Sequence, residues 1–311
     1  MGGMEAELIA RLRKMLPAHP LLRLGPGDDA AVLRVADLQE CVVTVDLLSD
    51  HVDFELSEAG ARRVGRKLLA VNLSDLAAMA SRPLAAVIAL VLPRAGGMRL
   101  ALELYEGLLP LAERYGVIVA GGDTNSWDGP LAASVTLLGA VTEYGPLRRD
   151  GARPGDRIVV TGHFGGSILG RHLDFEPRVE EALLLAERYR LHAGIDCSDG
   201  LSIDLNHLVQ ESGCGAVVRT CDVPVAEDAY RLARKLHDGS TPLEHALADG
   251  EDFELILAVP PEEARRMLAE QSLGVALADI GEFVEAPGLW QVDAQGSRRP
   301  LEARGYQHEL G

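Results

Sequence analysis

Six short acidic clusters constrain this chain more than any other feature. They are GPGDDAAVL (Gly25 to Leu33), TVDLLSDHVDFEL (Thr44 to Leu56), NLSDLAAM (Asn72 to Met79), GGDTN (Gly121 to Asn125), IDCSDGL (Ile195 to Leu201) and GEDFEL (Gly250 to Leu255). Each is expected at the end of a strand or the start of a helix. Carboxylates beside glycines at such turns suggest hard-cation sites rather than a solvated acidic coat. Mg²⁺ takes oxygen ligands and commonly bridges protein carboxylates to substrate phosphates. The pattern therefore points to phosphate chemistry.

The chain has 311 residues and a formal net charge of −17. That length favours two domains, or one large α/β unit. No Lys/Arg-rich run appears, which argues against a nucleic-acid partner. An acidic chain that handles an anionic ligand must reverse the local sign, and metal ions can do so. The four cysteines, Cys41, Cys197, Cys214 and Cys221, show no C-x-x-C spacing. A reduced, cytoplasmic protein is the expectation. MGGMEAELIARLRKML reads as a short amphipathic helix, not a signal peptide. No apolar run is long enough to span a bilayer, so no membrane partner is expected.

Hydrophobic periodicity predicts alternating strands and helices. In the first half, Glu40 to Val45 reads as a strand. Ser57 to Ser81 reads as a helix, with Ser57 as its N-cap and Pro83 beyond its end. Leu84 to Leu92 is an apolar strand, Leu100 to Tyr115 a helix, Val117 to Ala120 a buried strand and Leu131 to Val141 another strand. The Gly/Pro-rich GARPGDR (Gly151 to Arg157) precedes a strand over Ile158 to Thr161, and a domain boundary is expected near residue 150. In the second half a short strand ends over Gly194 to Cys197. Ser198 is placed to cap a helix carrying Leu201, Leu205 and Leu208, which Gly213 and Gly215 stop. Glu254 to Val259 is a strand and Pro261 to about Gln271 a helix. The fold class is α/β, with α+β layering, rather than a helical bundle.

Within the Ser57 to Ser81 helix, Val64, Leu68, Val71 and Met79 form one stripe, and Asp75 falls in its middle. An ionised carboxylate among apolar side chains is costly without a cation or donors. Pairing with an arginine or capping of a neighbouring turn would also satisfy it. In GGDT, Gly121 and Gly122 are expected to turn the chain tightly, leaving Asp123 at the carboxyl end of a strand, where α/β proteins place their sites. An ordinary turn aspartate fits that position as well. IDCSDGL puts Asp196 at a strand end and Asp199 in the first helical turn, where the helix dipole alone could explain it. GEDFEL repeats the layout, with Glu251 and Asp252 before an apolar strand.

GPGDDA matches a relaxed dinucleotide fingerprint, but it runs into the β-like stretch Ala31 to Arg34, and its aspartates would repel a bare pyrophosphate. No G-x-x-x-x-G-K-[ST], H-E-x-x-H or G-x-S-x-G is present, which disfavours P-loop, zinc and serine-hydrolase chemistry.

Taken in order, NLSDLAAM, GGDT, D-x-SDGL and GED-[YF]-EL resemble the thiamine-monophosphate kinase family, within the aminoimidazole ribonucleotide synthetase-like superfamily. The resemblance runs from about Leu24 to Tyr306. It implies two domains: residues 1–150, binding ATP and Mg²⁺ and pairing across a two-fold into a dimeric β-barrel, and residues 151–311, an α/β domain completing the active-site cleft. It implies a homodimer, with ATP and thiamine monophosphate as substrates and several Mg²⁺ ions; K⁺ is a further candidate cation. Carried over by position, the metal ligands are Asp29, Thr44, Val45, Asp46, Asp75, Asp123, Asp196 and Asp199. Tyr105, Gly122, Arg149 and Ser198 fall on nucleotide positions. Glu251 and Tyr306 fall on the acceptor side. No residue is carried over as a general base.

The chain departs from the family at three places. Asp53 stands where the family has a histidine that contacts substrate, and His51 lies two residues earlier, so both are acceptor-side candidates. Val45 replaces the second threonine of TTD, a ligand that can act through its carbonyl. The stretch from Gly162 to Val179 is short, with Phe175 and Glu176 interrupting an H-x-x-P-x-P-R-like segment. The rival readings are a kinase or ATP-dependent ligase of the same fold with another phosphorylated acceptor, and a non-catalytic nucleotide-binding relative.

Overall fold

The computed structural model describes residues 11–12, 14–17, 19–24, 32–33 and 40–307. GPGDDA, including Asp29, and most of the N-terminal helix expected from the sequence lie outside the described residues. The chain forms two compact units. One runs to Leu76 and resumes over Ser81–Thr142; the other takes Ala77–Ala80 and the chain from Glu143 onward.

In the first unit β1 (Leu22–Leu24) pairs antiparallel with β2 (Val32–Leu33). A separate four-stranded sheet comprises β3 (Cys41–Ser49), β4 (Arg82–Pro93), β5 (Ile118–Trp127) and β6 (Ala132–Ala140), in the order β3-β6-β4-β5. Only β4 and β5 run parallel. The expected helix from Ser57 to Ser81 is instead two, Leu56–Ala59 and Ala61–Ala78, broken at Gly60, and Glu55 rather than Ser57 holds the N-cap position. The longer helix is not a one-stripe element. Val64, Leu68, Leu69, Ala70, Leu73, Leu76 and Ala77 are all buried, so it runs through the core. It crosses the Gly97–Arg114 helix at two glycines: a Cβ on Gly65 would lie 1.9 Å from the Leu104 carbonyl oxygen, and one on Gly107 would lie 1.8 Å from that of Arg62. This close crossing fixes the helix that carries Asp75.

The largest difference from the sequence expectation is GGDTN. It is no turn: β5 continues through it to Trp127. Gly122 is required for sheet packing, because a Cβ there would lie 1.9 Å from the Ile88 carbonyl oxygen. Asp123 is thus mid-strand, paired with Ala89 of β4.

The second unit is built on a seven-stranded sheet. Its strands are β7 (Arg157–Thr161), β8 (Ala193–Asp196), β9 (Gly215–Arg219), β10 (Leu255–Val259), β11 (Leu277–Val284), β12 (Gly288–Val292) and β13 (Arg298–Pro300), in the order β13-β12-β9-β11-β7-β10-β8. Only β12 and β9 pair in parallel, so the layering is α+β in character. Ile158, Val160, Ile195, Ile256, Ile280 and Phe283 pack with Leu201, Leu205 and Leu208 of the Leu201–Ser212 helix. Each such side chain stabilises the unit by about 1.5–3 kcal/mol. The expected Ser198 cap does not form. Gly200 is the N-cap and Asp199 precedes the helix, while Gly213 ends it with a left-handed φ of 65°.

Candidate active site

Strand alternation in β3 puts Thr44 and Asp46 on one face, and the Ala61–Ala78 helix brings Asp75 to that face. The Thr44 hydroxyl donates to the Asp75 carboxylate. Asp46 has no such donor on its Oδ2, which is buried without a hydrogen-bond partner. Its pKa is raised to about 7, first by burial, then by the charges of Asp75 and Asp53. A carboxylate so crowded is stable as an anion only with a cation beside it. Thr44, Asp46 and Asp75 therefore fit a hard cation.

Asp53 and His51 sit in a turn, not on a strand: the N–H groups of Val52 and Asp53 both donate to the Ser49 carbonyl. The Asp53 carboxylate accepts from the Ser49 N–H at 2.7 Å, so it clasps its own turn. Lys67 Nζ donates to the Asp53 carbonyl at 2.6 Å from a side chain with no exposure. Sequence reasoning missed Lys67. The signal was weak, because Arg62, Arg63 and Arg66 on the same helix are basic too. His51, at a φ of 73°, points outward to Glu55 at 2.9 Å, and that hydrogen bond raises its pKa.

The register of the sheet separates Asp123 from this group. Asp46, Val135, Ile88 and Gly122 lie in one cross-strand row, and Leu47, Ser134, Ala89 and Asp123 lie in the next. Adjacent rows face opposite sides of a sheet. Asp123 thus shares its face with the exposed side chains of Val43, Val45 and Leu47. The Val45 side chain points away from Thr44 and Asp46, leaving only its backbone as a ligand. Tyr105 is buried in the Gly97–Arg114 helix, and burial pushes its hydroxyl to about 12.

In the second unit the strand end and two loops bring five expected residues together. Asp196 is buried at the end of β8. Beyond it, the Ser198 carbonyl accepts from the Glu251 N–H at 2.6 Å, and the Asp199 carbonyl accepts from the Tyr306 N–H at 2.9 Å. The Ser202 hydroxyl exchanges hydrogen bonds with the backbone of Arg304, holding the C-terminal segment on this turn. Asp196, Ser198, Asp199, Glu251 and Tyr306 thus form one cluster. Arg149, exposed in a short 3₁₀ turn, is anchored by Ser212 Oγ donating to its carbonyl.

Asp204 was not singled out from the sequence. Its Oδ2 accepts from the N–H groups of Asp199 and Gly200 at 3.0 and 2.9 Å. Burial, then the Asp199 charge, raises its pKa to about 7, while the N–H groups of Gly200 and Asp199, and after them Arg149, oppose the rise. Ligand atoms of Asp199, Asp204 and His207 lie within 4.8 Å of one another. Cys197, beside Asp204, is fully buried and its thiol is pushed well up by burial, so it is no nucleophile.

Two family models cover most of the chain: AIR synthase related protein, N-terminal domain, over residues 27–141, and AIR synthase related protein, C-terminal domain, over residues 153–289. The chain is therefore an AIR synthase related protein. Within that group the chain belongs to the thiamine-monophosphate kinase family. It is 42% identical to thiamine-monophosphate kinase of Rhodopirellula baltica, over 98% of this chain and 97% of that one. Among solved structures, thiamine-monophosphate kinase from Stenotrophomonas maltophilia matches with a TM-score of 0.76 and 32% identity, covering 92% of this chain and 94% of that one. AaThiL complexed with AMPPCP and TMP matches with a TM-score of 0.76 and 27% identity, covering 98% and 96%.

Proposed function

We propose that this chain transfers the γ-phosphoryl group of ATP to the phosphate of thiamine monophosphate, giving thiamine diphosphate. The observation that carries the reading is the Asp46 group, a half-buried carboxylate with one buried, unpartnered oxygen, under the charges of Asp75 and Asp53, in a chain 42% identical to a kinase of that activity.

The acceptor is a phosphate oxygen, already anionic at neutral pH. No general base is needed; the barrier is repulsion between two polyanions, and positioning with charge compensation lowers it. Thr44, Asp46 and Asp75 would hold Mg²⁺ in the first unit, with the Val45 carbonyl and Asp29 as further ligands; Asp123, on the opposite face of the sheet, would serve a separate ion. Asp196 and Asp199 would do so in the second. Bound Mg²⁺ would supply neutralisation of the phosphate charges. Tyr105, Gly122, Arg149 and Ser198 serve the nucleotide. Glu251 and Tyr306 serve the acceptor, with Asp53 and His51 shaping its surroundings from their turn. A K⁺ requirement is a further expectation, as is a cytoplasmic location. Among the described residues, no helix is long and apolar enough to cross a membrane.

The working form is a homodimer closed over the first unit's sheet. On one face of that sheet Val43, Val45, Leu47 and Val87 are 60%, 61%, 71% and 41% exposed. Exposed apolar side chains grouped on one face are an interaction surface, and β3, which carries three of the four, is an edge strand. Light scattering should give a dimer, and Val45→Glu should shift it toward monomer.

The activity is tested by ADP release with and without thiamine monophosphate, with the product identified. ADP release that ignores thiamine monophosphate, or a product other than thiamine diphosphate, would overturn the reading.

A further inference from the structure

The GEDF loop holds Glu251 in a costly conformation. Glu251 and Phe253 have φ of 62° and 52°, left-handed values for residues with a Cβ. Each costs roughly 1–2 kcal/mol, so the surroundings must hold them. Part of the hold is the β8 exit, where backbone bonds link Glu251 to Ser198, Phe253 to Cys197 and Cys197 to Glu254 at 2.6–2.7 Å.

The rest comes from three consecutive residues after β7. The Gly165 N–H donates to both oxygens of Asp252, at 3.0 and 2.9 Å. The Gly166 N–H donates to Asp249 at 2.9 Å. The Ser167 hydroxyl donates to the Glu251 carbonyl at 2.6 Å. The approach is too close for side chains: a Cβ on Gly165 would lie 2.6 Å from the Ala246 nitrogen, and one on Gly166 would lie 2.3 Å from the Asp228 carbonyl carbon. Arg171 closes the arrangement by binding Asp252 at 2.6 Å and the Gly165 carbonyl at 3.2 Å. Below it, Phe175 stacks on Phe253 with centroids 3.9 Å apart.

We propose that Ser167 is a positioning residue for acceptor binding: its buried hydroxyl fixes the Glu251 peptide and thereby aims the Glu251 side chain. Ser167 side-chain burial is complete, so the hydroxyl is not shared with solvent. Of the three anchors it alone acts on Glu251 itself; Gly165 and Gly166 hold its neighbours. The proposal rests on Glu251 meeting the acceptor.

The test is a double-mutant cycle of Ser167→Ala and Glu251→Gln, read as KM for thiamine monophosphate, KM for ATP and kcat. Loss of one neutral hydrogen bond should raise the acceptor KM on the order of three- to tenfold. KM for ATP should stay unchanged. If Ser167 acts through Glu251, the double variant should resemble Glu251→Gln alone. Additive effects, or equal rises in both KM values, would overturn the positioning role and leave the acceptor role of Glu251 standing. An unchanged acceptor KM in Glu251→Gln would instead remove the premise, and the proposal with it. Should Ser167→Ala melt below the assay temperature, Ser167→Cys carries the same cycle, because a thiol fills the space as a weaker donor.

Discussion

The acidic group around Asp46 in the first unit and the one at the start of β10 in the second are held in opposite ways. In the first, Asp46, Asp75 and Asp53 crowd together, and one Asp46 oxygen is buried without a partner; burial raises both Asp46 and Asp252 to about 7, so the contrast lies in their partners. In the second, the acidic residues at the start of β10 bring their own counter-charges. Asp252 has Arg171 and the Gly165 N–H; Glu254 has Arg178 at 2.6 Å and the Thr161 hydroxyl at 2.6 Å. The first group is incomplete as protein alone. The second is complete, and its carboxylates act as internal clasps. Residue type and sequence setting are similar in both, so what separates a ligand from a clasp is the donor set the fold delivers.

The comparison breaks if the first group proves dispensable. Asp75→Asn keeps shape and removes one charge, and should lower kcat on the order of a thousandfold, since metal-mediated charge stabilisation is worth several kcal/mol. Circular dichroism should show an unchanged fold. Turnover near the parent value would place catalysis elsewhere.

The second group should answer through stability. Arg178→Leu strands the Glu254 carboxylate, which is 4% exposed, and should cost about 3 kcal/mol in denaturant unfolding. Replacing both partners with leucine should recover much of that loss, because no charge is then left unpaired. A single variant as stable as the parent would mean that the pair is no clasp.

A smaller effect sharpens the contrast in the first unit. Without Mg²⁺, Asp46→Asn should raise the melting temperature by about 2–4 °C, the response to roughly 1 kcal/mol of relieved repulsion. Mg²⁺ should stabilise the parent, since a ligand of the native state does so by mass action. It should stabilise the variant less. Equal Mg²⁺ responses would remove Asp46 from the cation site.

Much of this was legible in the sequence. The strand over Arg82–Pro93, the helix over Gly97–Arg114 and the strand over Leu255–Val259 follow from apolar runs of the right length. That Asp196, Ser198, Asp199, Glu251 and Tyr306 belong to one site was legible only through the family resemblance; their contacts come from the fold. GGDTN was misread because glycine pairs signal turns, whereas here the glycine answers a close strand approach that only tertiary structure reveals. The broken helix at Gly60 and the pairing of Arg171 and Arg178 with Asp252 and Glu254 were equally hidden. The arginine–carboxylate contacts join residues about 80 positions apart, beyond any local pattern.

Asp53 is where sequence and structure pull apart most, and it carries the smallest predicted effect. By position it replaces an acceptor-contacting histidine, which suggests that Asp53→His would restore the family arrangement. The geometry argues otherwise. The Asp53 carboxylate accepts from the Ser49 N–H, and its carbonyl accepts from the buried Lys67 ammonium. An imidazole does not reproduce the short Asx-type clasp, so the turn should loosen; Asp53→Asn, which retains an acceptor oxygen, should keep it. We expect kcat/KM for thiamine monophosphate to fall roughly threefold to tenfold in Asp53→His, the equivalent of one lost hydrogen bond, and to stay within about twofold in Asp53→Asn. His51→Ala should also change little, since that side chain is 65% exposed and bonds Glu55. A gain in kcat/KM for Asp53→His, with a loss for His51→Ala, would show that this turn meets the acceptor directly and that the clasp is secondary.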